Sequence, residues 1–302
     1  MIKIAVVLAT LLTGPAPASA LDPVQAAPPG SAAISTAAIS TAAISTAALD
    51  YAALGDSVAA GPLIPRQHGP AVCRRSDHNY PSLIAGALRP ATFTDVSCTG
   101  AELKHLSTSQ SGLPPQLEAL SDDTDLVTIT LGANSVSWSK VALNCGLISI
   151  GTLGHGNPCQ LTQGKAVLKK MVNIRPKIDA AYRKVREAAP NARIVVVGYL
   201  KVAPGDGKGC WPRLPLAKGD QKFFDAVERE LNAMLKTTAT KIGATYLDAY
   251  ALSDGHDVCA KEPWTSGLKG PSLVYHPTAR GMERVAAAVV ASLAAPVAAT
   301  SG

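Results

Sequence analysis

Between residues 49 and 296, short apolar runs alternate with longer segments of helical spacing, and this alternation limits the fold more than any other feature. The runs are Leu49–Leu54, Ala91–Val96, Leu126–Leu131, Arg193–Gly198 and Ala244–Leu247. Near-continuous apolar runs of this length suit strands buried on both faces of a parallel sheet. Between them, Phe224, Val227, Leu231 and Met234 keep helical spacing across 220–241. Met282, Val285, Ala286 and Val289 do the same in a final helix. Residues 165–188 also read as helical, but Pro176 predicts two helices or a kink there. The expected architecture is three-layer α/β/α with right-handed crossovers. At 47% hydrophobic and 17% charged residues, the chain can bury a core. Ligands of such sheets sit beyond the carboxyl ends of strands, so the residues after each strand matter most.

The ends of the chain read differently. Lys3, the apolar run Ile4–Leu12 and the small residues Ala18-Ser19-Ala20 make residues 1–20 a cleavable export signal. Gly14, Pro15 and Pro17 interrupt it, so it does not read as a membrane span. Residues 21–48 read as a low-complexity linker, with Ala-Ile-Ser-Thr-Ala written three times over 33–47. The globular domain is expected over 49–296, with a tail at 297–302. Six cysteines in an exported chain suggest a disulfide framework. They fall as three local pairs, and nearest-neighbour pairing is the simplest of many connectivities. No Cys-x-x-Cys occurs, which argues against a zinc ribbon or a dithiol redox site. Aromatics are 4% of residues, too few for an aromatic sugar cleft or a base-stacking platform. The net charge of +6 comes from scattered bases, which excludes a nucleic-acid stripe. It allows weak attraction to an anionic membrane or cell-envelope surface.

Three turns follow predicted strands. The first is Gly55-Asp56-Ser57-Val58-Ala59-Ala60-Gly61. A serine at such a turn holds its hydroxyl at the sheet edge, beside a helix N-terminus that favours an anion. Alternatively, Ser57 or Asp56 merely caps that helix. The second turn carries Gly100 and the third is Gly132-Ala133-Asn134-Ser135. A glycine N–H and an asparagine amide are the donor types an oxyanion hole needs, though both are also ordinary turn residues. Among six histidines, His276 stands out in Tyr275-His276-Pro277, where Pro277 suits the first position of the last helix. A capping or surface role is its alternative. His256, between Asp254 and Asp257, is the rival, with a structural or metal-like role at most.

Leu54-Gly55-Asp56-Ser57, then Gly100, then Gly132-x-Asn134, then His276-Pro277 resemble, in order, the four blocks of the SGNH hydrolases, the GDSL-type esterases and lipases. The pairs Cys73–Cys98, Cys145–Cys159 and Cys210–Cys259 resemble those of the secreted actinobacterial esterases and lipases, where such bridges brace active-site loops. The resemblance implies a flavodoxin-like fold with a five-stranded parallel sheet. It implies ester hydrolysis by acyl transfer, with Ser57 as nucleophile and His276 as base. The Ser57 N–H, the Gly100 N–H and the Asn134 amide would form the oxyanion hole. Two positions depart from the family pattern. Ser135 stands where an aspartate is common, and Leu273 stands where many relatives place the aspartate that orients the histidine. A dyad helped by the Leu273 main-chain carbonyl is therefore expected, with Asp254 or Asp257 as alternative partners. No cofactor or metal is implied. The expected partner is a small-molecule or lipid ester, and a monomer is expected. The competing readings are a carbohydrate acetyl esterase and a non-catalytic binding protein on the same fold.

Overall fold

The computed structural model describes residues 48–294. The signal segment, nearly all of the linker and the tail 297–302 lie outside the described residues. In chain order the elements are β1 (Asp50–Gly55), α1 (Ser57–Ala60), β2 (Gln67–His68), β3 (Arg75–Ser76), α2 (Tyr80–Leu88) and β4 (Thr92–Asp95). They continue with β5 (Leu126–Thr130), α3 (Trp138–Gly151), α4 (Pro158–Ala188), β6 (Arg193–Val197) and α5 (Asp220–Lys241). The last are β7 (Thr245–Leu247), α6 (Ala249–Leu252) and α7 (Ala279–Ala294).

Five strands form one sheet in the order β4-β1-β5-β6-β7, every neighbouring pair parallel. These are the five apolar runs of the sequence, β1 shifted by one residue and the other four trimmed by one or two. The short β2–β3 hairpin stands apart from it. Side chains alternate between the two faces, as the pleat requires. Ala52, Leu54, Val127, Ile129, Ile194 and Val196 pack with α4 and α5. Tyr51, Ala53, Val195 and Val197 pack with α2 and α7 on the other face. Both faces are covered, which explains why β1, β5 and β6 read as nearly unbroken apolar runs.

The strand order reverses at β1, with β4 on one side and β5, β6 and β7 on the other. The crevice at that reversal lies between the carboxyl ends of β1 and β5. Register puts Gly55 opposite Thr130 there. The turns Asp56–Ser57 and Gly132–Asn134 therefore emerge side by side.

The helix with Pro176 differs from expectation. It runs unbroken from Pro158 to Ala188. A proline nitrogen at 176 leaves the carbonyl of Val172 without its helical donor. Both residues are exposed, so water can satisfy that carbonyl. Helix α3 was not foreseen, because Val141, Leu143, Leu147 and Ile150 leave it apolar nearly all round.

Candidate active site

Strand β1 ends in a turn that admits only glycine. Gly55 has φ +148°, and a Cβ there would lie 2.7 Å from both the Ala59 Cβ and the Thr130 carbonyl oxygen. Gln116 clamps the same residue, accepting the Gly55 N–H at 2.9 Å and donating to its carbonyl at 2.9 Å. Asp56 then caps α1, its Oδ1 accepting the Val58 N–H at 2.9 Å. Ser57 is thus the first helical residue, held at the positive end of the turn rather than used as the cap.

His276 arrives from the other side of the crevice. Its Nε2 lies 2.7 Å from Ser57 Oγ. Its Nδ1 lies 2.9 Å from the carbonyl oxygen of Val274. A carbonyl only accepts, so Nδ1 carries the proton and Nε2 accepts from the Ser57 hydroxyl. Burial lowers the pKa of this imidazole, and the bond to Val274 opposes that shift.

The orienting carbonyl is therefore that of Val274, not Leu273 as expected. The Leu273 carbonyl is occupied in closing the turn, accepting the His276 backbone N–H at 3.0 Å. Tyr275 has φ +64°, and this left-handed residue turns the carbonyl that precedes it, that of Val274, toward the ring. The segment is fixed by an antiparallel stitch. Tyr275 N–H donates to Ser266 O at 2.7 Å, and Ser266 N–H donates to His276 O at 2.8 Å.

Neither alternative carboxylate joins the site. Asp254 pairs with Lys201 at 2.7 Å, and Asp257 accepts the Cys259 N–H at 2.7 Å. His256 accepts no part in it either: its ring stacks on Trp264 with centroids 4.1 Å apart, and Nδ1 bonds Glu262 O.

Ser57, Gly100, Asn134, Leu273 and His276 line one cavity. Asn134 Nδ2 donates to Ala101 O at 3.0 Å, while its Oδ1 accepts the Ser139 hydroxyl at 3.0 Å. These two bonds orient the amide and leave its second N–H free for the cavity. Among the described residues, the backbone N–H groups of Ser57 and Gly100 have no protein acceptor. Ser135 braces the same loops, its hydroxyl accepting the Leu103 N–H at 2.9 Å. All three nearest-neighbour disulfides are formed. Cys73–Cys98 ties down the loop that carries Gly100.

Three features escaped the sequence reading. Tyr199 follows β6, and its hydroxyl donates to Asp56 Oδ2 at 2.6 Å while accepting the Ala133 N–H at 2.9 Å. It welds the Ser57 turn to the Asn134 turn. Burial raises the Asp56 carboxyl to about 7, against the lowering effect of its bonds from Tyr199, Val58 and Gly132. The signal for Tyr199 in the sequence is its place just past the strongest apolar run, at the carboxyl end of β6. The second is the cavity itself, about 520 Å³ and walled chiefly by apolar side chains, one wall of them from α3 with Ala142, Leu143, Leu147 and Ile150. Nothing local in the sequence signals that α3 overhangs Ser57. The third is Tyr275, whose buried hydroxyl has no protein partner among the described residues.

Residues 53–284 match the GDSL-like lipase/acylhydrolase family. Lipase 2 of Streptomyces coelicolor is 37% identical, over 77% of this chain and 82% of its own length. A phospholipase A1 from Streptomyces albidoflavus superposes with a TM-score of 0.70 at 29% identity, covering 82% of this chain and 99% of the other. An extracellular lipase from Streptomyces rimosus superposes at 0.66 and 26% identity, covering 82% and 100%.

Proposed function

Because this chain belongs to the GDSL-like lipase/acylhydrolase family and is a carboxylic ester hydrolase, we propose that Ser57 is its nucleophile and His276 its general base. The observation that carries this reading is the relay Ser57 Oγ to His276 Nε2 at 2.7 Å, and His276 Nδ1 to Val274 O at 2.9 Å. Ser57 Oγ attacks the ester carbonyl carbon as Nε2 takes the hydroxyl proton. The carbonyl oxygen becomes an oxyanion held by the Ser57 N–H, the Gly100 N–H and the free N–H of Asn134. Collapse breaks the ester C–O bond, and His276 returns its proton to the leaving alkoxide. Water then attacks the acyl-enzyme with His276 again as base, releasing the acid and restoring the Ser57 hydroxyl.

The substrate is an ester with an extended acyl chain. The apolar α3 wall of the cavity supports this over an acetylated sugar, which would set hydroxyl groups against Leu143, Leu147 and Ile150. The relatives named as lipases and as a phospholipase A1 point the same way. The enzyme acts outside the cell as a monomer. Residues 1–20 are removed, 21–48 form a linker, 49–296 form the hydrolase domain and 297–302 a tail. The three disulfides and the extracellular relative support export.

The test is turnover of p-nitrophenyl esters of increasing chain length by the protein and its Ser57→Ala variant. Loss of turnover with an unchanged melting temperature is expected, with the longer acyl chains preferred. Variant activity within about tenfold of the parent would remove Ser57 from the mechanism, since removal of a nucleophile costs far more.

A further inference from the structure

Resting on the acyl-hydrolase reading, we propose that the rim of the catalytic cavity is a lipid-docking surface, which seats the enzyme on an anionic bilayer with the cavity mouth facing the lipid. The rim is an unpartnered apolar collar. Leu143, Leu147 and Ile150 recur at helical spacing along α3 and line the cavity, yet they remain 62%, 59% and 55% exposed. They face both the cavity and the solvent at its edge. The collar continues past the end of α3 with Leu153, 73% exposed, whose N–H bonds the Ile150 carbonyl at 3.1 Å. Trp211 lies against the next residue: a Cβ on Gly154 would meet its ring at 2.9 Å. Leu268 extends the collar from the Trp211 segment, lining the cavity while exposed, with its N–H on the Arg213 carbonyl two residues from Trp211. Half-exposed leucines scattered singly need no explanation, but a joined set around one opening does.

Charge selects the occupant. From Asp125 to Asp179 the chain carries no carboxylate side chain, while Lys140 sits exposed on α3 among the collar leucines. Lys218 donates its N–H to the Gly154 carbonyl, beside Leu153 and Trp211, and Lys269 follows Leu268. The Asp206 carboxylate near Gly156 is outnumbered by Lys208, Lys218 and Lys222. Apolar side chains ringed by lysines suit a surface that is apolar within and anionic at its boundary, which is a bilayer containing acidic phospholipid. The collar is also continuous with the cavity that takes the acyl chain, so docking would let an ester pass from lipid to Ser57 without crossing water.

The experiment separates docking from turnover. The Ser57→Ala protein is co-sedimented with phosphatidylcholine vesicles, with and without phosphatidylglycerol. Phosphatidylglycerol should strengthen binding, and high salt should erase that gain. Leu153→Asp, at a residue outside the cavity lining, should weaken partitioning about tenfold, the factor for withdrawing one leucine from an apolar interface. Lys140→Glu, a second surface change, should remove most of the phosphatidylglycerol preference. In the active protein, Leu153→Asp should leave hydrolysis of soluble p-nitrophenyl acetate within about twofold, as for most surface substitutions, while slowing hydrolysis of vesicle-embedded ester. Absent vesicle binding, or equal binding by both variants, overturns the proposal. So does a stable dimer that Leu153→Asp dissociates, because the collar would then belong to a second copy. If vesicles bind but soluble esters are not cleaved, the hydrolase reading fails and docking stands.

Discussion

An imidazole held by a carbonyl at one nitrogen and a hydroxyl at the other has its tautomer chosen for it. At His276 the carbonyl of Val274 makes that choice without a negative charge. Asp254 and Asp257 are bound elsewhere, so Asp254→Asn and Asp257→Asn should each lower kcat/KM by less than about tenfold, against the ~10⁴-fold cost of losing a true triad carboxylate. A loss on that larger scale in either variant would mean the loop rearranges around substrate. Burial depresses the His276 pKa, so the ring stays neutral and competent at lower pH than a free histidine. The acid limb of kcat/KM, which reports the base in the free enzyme, should therefore fall below about pH 6.5. A midpoint near neutrality would show that some unseen anion supports the imidazolium. Tyr199→Phe keeps the ring but strands the Ala133 N–H and takes one donor from Asp56. Chemical denaturation should show a loss of about 1–3 kcal/mol, the usual consequence of leaving buried polar groups unpaired. An unchanged midpoint would mean that water replaces the hydroxyl.

At the scale of elements, the cavity depends on where α3 and α5 are pinned. The Cys145–Cys159 disulfide joins α3 to the first turn of α4. Closing loops of this size stabilises a fold by roughly 2–4 kcal/mol per bridge. Strong reductant should lower the melting temperature, and the double replacement Cys145→Ser with Cys159→Ser should lower it without touching the other two bridges. Helix α5 is tied to the segment after β6 by Glu228, whose Oε2 accepts the Val202 N–H at 3.2 Å. Burial raises this carboxyl to about 8. The folded form therefore holds a proton that the unfolded chain releases above about pH 4.5. Stability is lost as pH rises between those values, at about 1.4 kcal/mol per pH unit in the limit of a single uncoupled group. Glu228→Gln keeps the acceptor and removes the titration. Its melting temperature relative to the parent should climb from pH 5 to pH 8, and a constant difference would show that Glu228 is ionised in the fold.

For the whole molecule, the reversal of strand order at β1 is what gathers distant residues. Ser57, Gly100 and Asn134 follow three neighbouring strands of the sheet, β1, β4 and β5, and His276 precedes the helix that covers one face. Four short stretches spread from 55 to 277 thus share one opening with no direct covalent link among them. Export is tested at this scale too. Mass spectrometry of protein recovered from the medium should give an N-terminus at Leu21, with all six cysteines oxidised. An intact Met1 on the extracellular protein would remove the cleavable signal.

The sheet was legible in the residues alone, because buried strands rest on local physics, whereas Ser57, Asn134 and His276 each had an ordinary turn, capping or surface reading, and only the resemblance of the ordered blocks singled them out. Apolar runs mark strands buried on both faces and Gly55 marks a turn where no Cβ fits, but Pro277 is not the first helical residue as expected: α7 begins two residues later at Ala279, and Pro277 belongs to the bridge with Thr265. Nearest-neighbour pairing of the cysteines also matched the bonds formed. What required the tertiary structure was every choice between equivalent local options. Leu273 and Val274 both offer a carbonyl near His276, and only the left-handed backbone at Tyr275, held by its stitch to Ser266, decides which one meets Nδ1. Pro176 breaks many helices, and only its exposure lets this one continue. Tyr199 reaches Asp56 across 143 residues of chain, and α3 overhangs the nucleophile through packing that no periodicity records. Local sequence sets which conformations a segment can adopt, whereas contacts between distant segments select among conformations of nearly equal local energy.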